Sequence, residues 1–406
     1  MRPWLSGIML VLAVGHGLPA DAQSPVTLDD ILAMEALGPA ALSPDGAWTV
    51  TTIRGAWNQA PAYRGTETTS HALSRLVIRR TDGTGSPLTL GSAGSTVGYR
   101  AGPFSPDGEH LAVVALSEDR YRLGVLSLAT GRMQWFDLSP EAARLGQTVV
   151  WRTPTRILAA VRPLDDLPVR MAVGSVVQDR LPDLWRRTAE GAVGVTVAYS
   201  GARRDARAQL DGAAVVEIDI ASGAVKQLVD GEVFDLAVSP DGRRVAALRE
   251  GRDLQIAADT PALTGNPVRR RHLLILDRDC DTVREPAAEL DYGSHLLAWD
   301  RSGRELLVFA RRDGEAFEHG RFYRIGDAGL QAVDLGIDRP WIDRSDQGLP
   351  VPRGGFVDDR LWLQVRDPDG KRLWRTETGE RRLPVAEPRE RLIEWAGQGW
   401  VVRSQG

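Results

Sequence analysis

One short pattern of apolar and polar residues recurs along the chain. An apolar anchor precedes Ser-Pro-Asp-Gly at 42–46, 104–108 and 238–242, and an altered copy, Trp-Asp-Arg-Ser-Gly, occupies 299–303. An apolar run follows the Gly within a few residues. Pro fixes φ early in a turn, Asp bonds the main chain ahead of it, and Gly accepts a positive φ. The pattern therefore predicts a tight turn between two antiparallel strands.

Three further copies keep only the apolar anchor and an apolar residue seven positions later. They are Trp151 with Leu158, Phe356 with Leu363, and Trp395 with Val402. The seven anchors are 39 to 87 residues apart, a repeat length typical of one four-stranded propeller blade with variable loops. We therefore predict an all-β fold, a β-propeller of about seven blades. Two stacked sandwiches are the less favoured alternative.

The strands and helices predicted between the anchors are short. In the second unit, apolar runs at 111–116, 122–128 and 133–138 predict three strands. The fourth unit repeats the end of this pattern at 215–220 and 225–229. Before the first anchor, Thr27 followed by acidic residues and apolar spacing predicts a short helix within 27–36.

The sequence divides into three regions. Residues 1–22 resemble a cleavable signal peptide, with Arg2, an apolar stretch at 8–14 and a cleavage pattern that ends at Ala22. Residues 23–41 form a strap with the short helix, and 42–406 form the propeller. We therefore expect a periplasmic or secreted protein with no membrane span after signal cleavage. A retained lipid anchor is the less favoured alternative.

Two parts of the propeller region depart from the repeat. The segment 163–208 is an insertion, for which we predict a short helix around 181–189 and an added strand at 193–197. After Trp395 only one further short strand, 400–402, precedes the end of the sequence. Because a blade needs about four strands, we expect the final blade, from 395, to be truncated. The chain is then a fragment or the product of a truncated reading frame.

Charge and cysteine content exclude some functions. The 50 Lys and Arg residues are balanced by 54 Asp and Glu, for a net charge of −4. No net basic face is predicted, so nucleic acid is not an expected partner. The single cysteine, Cys280, lies between Asp279 and Asp281, which disfavour a reactive thiolate.

No catalytic, cofactor-binding or metal-binding residue is assigned from the sequence. It contains no G-x-S-x-G, H-E-x-x-H, P-loop or S-x-x-K motif. The run from Asp367 to Gly370 resembles the start of a calcium loop, but Thr378 occupies the twelfth position, where Glu is required. We interpret this run as a turn, and we interpret Ser200 before Gly201 as a turn serine.

Five histidines follow the signal peptide, and no two of them have the spacing of metal ligands. They are His71, His110, His272, His295 and His319. Strand patterns contain His110 and His272, which we expect at sheet edges or on the surface.

Together, these features resemble a known family. The signal peptide, the run Leu28 to Leu32 (LDDIL) and the repeated SPDG turns resemble the N-terminal half of secreted prolyl-oligopeptidase-family serine peptidases, including dipeptidyl-peptidase-IV-like and acylaminoacyl-peptidase-like enzymes. TolB-type periplasmic propellers share the SPDG repeat. In the peptidase family, the propeller caps an α/β-hydrolase domain that carries the catalytic Ser, Asp and His. That domain is expected from the resemblance but absent from this sequence, so no catalytic residue is transferred.

The resemblance implies two functions. The first is a non-catalytic propeller that gates and orients peptide substrates for a missing hydrolase domain. The insertion has only Glu190 where dipeptidyl peptidases of the family hold the substrate amine with paired glutamates, which counts against aminodipeptidase specificity. The alternative is a stand-alone periplasmic TolB-like propeller that binds a protein or peptide partner. A third and less favoured reading is an intact enzyme with a site on the propeller face.

Overall fold

The chain forms a series of antiparallel β-sheets, each built from strands that are close together in sequence. The computed structural model describes residues 25–404 apart from 61–62, 93, 118–119, 143–144, 193–211, 254–268, 278–282, 294, 313–314, 346–348, 358, 383–389 and 397–398. The predicted signal peptide, the predicted strand at 193–197, Ser200 and Cys280 lie outside the described residues.

Six sheets of four or five strands follow one another along the described chain. The first contains β1 (Ala36–Leu42), β2 (Trp48–Arg54), β3 (Ser74–Arg80) and β4 (Leu88–Leu90). The second contains β5 (Val97–Phe104), β6 (His110–Ser117), β7 (Arg120–Ser127) and β8 (Met133–Phe136). The third contains β9 (Ser139–Pro140), β10 (Val149–Thr153), β11 (Arg156–Arg162), β12 (Ala214–Asp219) and β13 (Val225–Asp230).

The remaining sheets repeat this arrangement. The fourth contains β14 (Val233–Val238), β15 (Val245–Asp253), β16 (Arg269–Leu276) and β17 (Val283–Arg284). The fifth contains β18 (Leu290–Tyr292), β19 (Ala298–Trp299), β20 (Leu306–Arg312), β21 (Arg321–Gly326) and β22 (Gly329–Ala332). The sixth contains β23 (Arg339–Pro340), β26 (Gly354–Val357), β27 (Arg360–Arg366), β28 (Arg372–Thr376) and β29 (Arg381–Arg382). Two strand pairs complete the description: β24 (Ile342–Arg344) with β25 (Pro350–Pro352), and β30 (Glu390–Ala396) with β31 (Gly399–Ser404).

Every predicted anchor lies in the first strand of a hairpin. The seven-residue offset is a direct cross-strand pair in four copies, namely Leu42–Thr49, Phe104–Leu111, Val238–Val245 and Trp299–Leu306. In the three degenerate copies the partner is five or six positions later, as in Trp151–Ile157, Phe356–Leu361 and Trp395–Trp400. The offset of seven is therefore wrong for these three, because only two residues separate their strands.

The SPDG turn owes its shape to a Ser–Asp pair. In the second sheet, Ser105 Oγ donates to Asp107 Oδ1 at 2.5 Å and accepts the main-chain N–H of His110 at 2.9 Å. Gly108 has a φ of 74°, which a side chain would strain. The turns at 43–46 and 239–242 have the same hydrogen bonds.

The fourth turn exchanges the two side chains. Asp300 occupies the serine position, and its Oδ1 accepts the main-chain N–H of Glu305 at 2.8 Å. Ser302 occupies the aspartate position and donates to Asp300 Oδ2 at 2.5 Å. The same hydrogen-bond pattern is thus built with the residue types reversed, which explains the altered sequence of this copy.

The sheets pack face to face in sequence order. Five apolar clusters lie between sheets one and two, two and three, three and four, four and five, and five and six. In β11, Ile157 and Ala159 join the cluster shared with the second sheet, whereas Leu158 and Ala160 join the cluster shared with the fourth. Alternate side chains of one strand therefore bury both faces of the sheet. Consecutive four-stranded sheets packed in this way define a β-propeller.

The helices partly follow the predictions. Helix α1 (Leu28–Ala33) is confirmed, and Thr27 and Asp30 form a capping box at its start. The predicted helix at 181–189 is the last part of a longer helix, α3 (Val169–Ala189), which continues through Pro182. Helix α2 (Thr66–Ala72), which lies between β2 and β3, was not predicted. Among the described residues, no helix combines the length and apolar character needed to cross a bilayer.

The predicted strap and the first sheet overlap. Strand β1 starts at Ala36, so the last six residues of the segment 23–41 belong to β1, which pairs with β2 in the first sheet. Much of this segment is apolar and exposed: Leu37 is 81% exposed, and Leu28, Ile31 and Met34 are also exposed. The side chains at the start of the propeller therefore present an apolar surface.

Candidate functional site

A central cavity lies among the opening strands of five successive sheets. Its volume is about 680 Å³. The second, third and fourth sheets contribute the end of β5 with the SPDG turn after it, β10 with Gly146 and Gln147 before it, and β14. The fifth sheet contributes 295–297 before β19, and the sixth-sheet region contributes 352–354 and Trp374 on β28. The central axis is the usual place for a channel in a propeller, and this cavity is the candidate functional site.

Much of the cavity wall is apolar and firmly held. Trp151 is buried, and its indole Nε1 donates to the main-chain oxygen of Pro103 at 2.9 Å, which joins the second and third sheets. Phe104, Leu236 and Trp374 add further apolar surface. Because the Trp151 ring is fixed by this hydrogen bond, the wall is preformed for an apolar ligand group.

Asp235 places a carboxyl group in this wall. Its side chain is only 3% exposed, and Oδ1 accepts the main-chain N–H of Gln147 at 2.8 Å. Oδ2 has no hydrogen-bond partner among the described residues. Burial raises the pKa of Asp235 to about 7, although hydrogen bonds from main-chain N–H groups and the charge of Arg271 oppose the shift.

A glycine makes room for this carboxyl group. Gly146 has a φ of 82°, and a Cβ there would overlap the carboxyl oxygens of Asp235. Both the positive φ and the close approach therefore require glycine at this position.

His295 is the second ionisable group in the wall. Its φ of 61° is unusual for a residue with a side chain. Nε2 lies 3.0 Å from the main-chain oxygen of Pro352, so this nitrogen carries the proton, whereas Nδ1 has no partner among the described residues. Burial lowers the pKa of His295 to about 4, with a smaller contribution from the charge of Arg353. The imidazole is therefore neutral at neutral pH.

Arg353 supplies a cation to the same cavity. The side chain is 39% exposed, and Nε donates to Asp343 Oδ2 at 3.4 Å. Asp343 also accepts the indole N–H of Trp341 at 2.7 Å and lies 3.7 Å from Nη1 of Arg372. One carboxylate is thus shared by two guanidinium groups. Within the described part of the chain, Nη1 and Nη2 of Arg353 make no hydrogen bond.

The structure separates the five histidines, and only His295 lines the cavity. His71 lies on α2 and is fully buried, with Nε2 3.4 Å from the main-chain oxygen of Val114. His319 ends a short 3-10 helix, Phe317–His319, and is exposed. The expectation that His110 and His272 lie at sheet edges or on the surface is wrong. Both are half-buried on interior strands, β6 and β16, and His272 contacts Glu285.

One side-chain group has the composition of a metal site. Ligand atoms of Asp107, Glu109 and His110 lie within 4.8 Å of one another. Asp107 Oδ1 already accepts hydrogen bonds from Ser105 and from the main chain of Glu109, and both acidic side chains are exposed. The SPDG turn therefore accounts for the proximity of the two carboxylates. The run at 367–370 also forms a turn, closed by Lys371 N–H to Asp367 Oδ1 at 2.8 Å.

The sequence analysis missed Asp235 and Arg353. Asp235 interrupts the otherwise apolar strand β14, and an isolated acid in such a strand is a usable signal of a buried polar site. Arg353 lies between Pro352 and a Gly pair, where nothing in the pattern distinguishes it from other arginines. Its role depends on the fold, which brings the opening strands around one cavity.

The site and fold define a propeller module with a central ligand-sized cavity. No protein-family model and no curated protein matches this sequence. Among solved structures, the β-propeller domain of the Trilobed protease from Pyrococcus furiosus is similar, with 10% identity, coverage of 88% of this chain and 86% of that one, and a TM-score of 0.46. The propeller assignment itself rests on the sheet packing described above.

Two further solved structures represent the two kinds of protein that the sequence resembles. The acylaminoacyl peptidase of Pyrococcus horikoshii is 13% identical, with coverage of 89% of this chain and 48% of that one and a TM-score of 0.46. This chain thus spans about half the length of that peptidase. The putative TolB from Agrobacterium tumefaciens is 12% identical, with coverage of 73% and 80% and a TM-score of 0.36.

Proposed function

We propose that this chain is the non-catalytic propeller portion of an exported prolyl-oligopeptidase-family peptidase, and that it admits and orients short peptides for an α/β-hydrolase domain. The observation that carries the proposal is the central cavity. Its volume of about 680 Å³ falls within the ~300–1,000 Å³ typical of small-ligand sites. A short peptide fits such a volume, whereas a folded protein does not.

The chemistry of the wall supports a peptide ligand. Trp151, Trp374 and Phe104 offer apolar contacts for side chains. The Asp235 and His295 side chains and the Arg353 guanidinium add hydrogen-bonding groups on three neighbouring sheets. A wall that is largely apolar with a few placed polar groups binds a ligand and fixes its orientation.

A binding experiment on the purified chain tests the proposal. The tetrapeptide Ala-Leu-Ala-Leu is titrated by calorimetry, and the intrinsic tryptophan fluorescence of the chain is followed in parallel. We expect saturable binding that Ala237→Phe weakens, because the larger side chain occupies volume in the cavity that Ala237 lines. Ala221→Phe, at an exposed turn of the third sheet, is the control, and thermal unfolding checks that both variants are folded. Absence of binding to the folded wild-type chain contradicts the proposal.

Two measurements test the catalytic part of the proposal. A fluorophosphonate probe, which labels activated serines, should leave this chain unlabelled; labelling would favour an intact enzyme. The DNA after codon 406 should encode G-x-S-x-G followed by Asp and His, in the same frame or a shifted one. A clean intergenic gap next to a separate partner gene contradicts the peptidase proposal.

The exposed apolar surface of α1 and β1 favours a second candidate, a stand-alone TolB-like propeller that binds a protein partner. Leu28, Ile31 and Leu37 are exposed on this surface, and contiguous exposed apolar residues are typical of protein interaction sites. A photo-crosslinking amino acid at position 37 should then capture one discrete partner in periplasmic extracts. The same group at Asp82, an exposed polar position on the first sheet, is the control.

A further inference from the structure

The central cavity contains one fixed charge. Among its described lining residues, the ionisable side chains are Asp235, His295 and Arg353. Burial raises the pKa of Asp235 to about 7 and lowers the pKa of His295 to about 4. Near neutral pH the imidazole is uncharged and the carboxyl group is at most partly ionised, whereas a guanidinium group carries a positive charge.

The local ion pairing leaves this charge incompletely neutralised. Asp343 is the carboxylate beside Arg353, at 3.4 Å from Nε, and it also lies 3.7 Å from Nη1 of Arg372. Asp343 Oδ1 is further engaged by the indole N–H of Trp341. Two cations therefore share one carboxylate, and the local net charge is positive.

The geometry of the guanidinium matches a carboxylate. Nε of Arg353 is held by Asp343, while Nη1 and Nη2 make no hydrogen bond within the described residues. The free Nη groups of an arginine can donate two hydrogen bonds to one carboxylate, and such charge-assisted bonds are about twice as strong as neutral ones. Trp374 and Pro352 provide apolar surface in the same cavity.

We propose that Arg353 binds the C-terminal carboxylate of a short apolar peptide in the central cavity. This inference rests on the proposed function, since it assigns the end of the peptide that the propeller recognises. The peptide enters with its C-terminus at Arg353, and its side chains contact the tryptophan-lined wall. An amine is the less suitable group at this position, because it would be placed beside a fixed positive charge.

Peptide variants separate this inference from the proposed function. Ala-Leu-Ala-Leu is compared with its C-terminally amidated form and its N-acetylated form by calorimetry with the wild-type chain. Amidation removes the charge-assisted hydrogen bonds to Arg353 and should therefore weaken binding about tenfold or more. Acetylation of the amine should leave the Kd unchanged within about twofold, since no recognition of that amine is proposed.

Arg353→Ala should reproduce the effect of amidation. The variant should bind the free-acid peptide about tenfold more weakly and should no longer distinguish it from the amide. Arg360→Ala is the matched control, because Arg360 is an exposed arginine of the sixth sheet that pairs with Glu380 and does not line the cavity. It should bind both peptides as the wild type does, and thermal unfolding of both variants checks that they are folded.

The outcomes are distinguishable. If the wild type binds none of the peptides, the proposed function fails. If it binds the acid and the amide equally, or if Arg353→Ala still discriminates between them, the carboxylate assignment is overturned while the peptide-binding proposal stands. Stronger weakening by acetylation than by amidation assigns the amine instead and likewise overturns the inference.

Discussion

Asp235 and Gln147 join the third and fourth sheets at the wall of the central cavity. Oδ1 of Asp235 accepts the main-chain N–H of Gln147 at 2.8 Å, and the main-chain N–H of Leu236 donates to the Gln147 oxygen at 2.7 Å. Asp235 and Gln147 are 88 positions apart in sequence. These two hydrogen bonds satisfy the main-chain N–H and C=O of Gln147 in place of water. They also link the cavity wall to the packing between the two sheets.

The buried Asp235 carboxyl should make stability fall as the pH rises. Its folded-state pKa of about 7 lies above the ordinary value of 3.8. Between pH 3.8 and pH 7 the carboxyl group is therefore protonated in the folded state and ionised in the unfolded state. The resulting slope is about 1.4 kcal/mol per pH unit at most. Asp235→Asn cannot ionise, and its free energy of unfolding should rise relative to that of the wild type between pH 4 and 7.

Urea unfolding of both proteins at pH 5 and pH 8 measures this difference. The comparison between the two proteins is necessary because His295, with its lowered pKa, has the opposite effect on stability between about pH 4 and 6.5. Asp327→Asn, at an exposed side chain paired with Arg244, is the control. Parallel pH profiles for wild type and Asp235→Asn would refute the buried-carboxyl interpretation.

His71 should limit stability in acid. The side chain is fully buried, and desolvation lowers its pKa well below 6.5, with a contribution from the charge of Arg100. The unfolded state therefore takes up a proton that the folded state rejects, and stability falls as the pH drops below about 6.5. His71→Gln should lose less stability between pH 7 and 5 than the wild type, by chemical denaturation. His319→Gln, at an exposed histidine, should follow the wild type.

Exchanging the residues of an SPDG turn tests the Ser–Asp pair. Ser239→Ala removes the acceptor for Arg244 N–H and the donor to Asp241, and we expect a loss of about 1–2 kcal/mol. The double variant Ser239→Asp with Asp241→Ser copies the arrangement of Asp300 and Ser302 and should recover most of that loss. A double-mutant cycle gives the coupling energy, and additive effects of the two exchanges would show that the pair does not act as a unit.

Gly98 should not tolerate a methyl group. A Cβ on this residue of β5 would overlap the main-chain oxygen of His71 at the end of α2, and main-chain atoms cannot rotate away. Gly98→Ala should therefore destabilise the chain by several kcal/mol, about the cost of an overpacked core site. Gly326→Ala, whose added Cβ would lie 3.7 Å from the nearest atom, should change the thermal midpoint little. Equal effects of the two substitutions would contradict this packing.

The repeat was visible in sequence because local physics specifies it. The SPDG turn needs its Ser, Pro, Asp and Gly for hydrogen bonds and φ angles within six residues, so Phe104 and Val238 could be recognised as strand ends without knowledge of the fold. The continuous apolar run from Ile157 to Val161 in β11 is likewise typical of a strand buried on both faces. These signals are local, and the structure confirms them.

The cavity could not be predicted because its residues belong to different sheets. Arg353 and Asp235 are 118 positions apart, and no periodic pattern relates them. The start of α3 was missed for a different reason. Proline is common in the first turn of a helix, so Pro182 indicated a helix start near 181. The helix instead begins at Val169 and continues through Pro182.

The long connections of this propeller follow one rule. The connections between the first and second strands of each blade are tight turns. The long connections all join a second strand to a third, at 55–73, 163–213 and 254–268. In an antiparallel sheet these two kinds of connection lie at opposite ends. The entropic cost of closing a loop grows only with the logarithm of the loop length. The end of the propeller where second strands connect to third strands can therefore gain or exchange whole segments while the sheets keep their sequence. New recognition can evolve at that end independently of the frame that carries it.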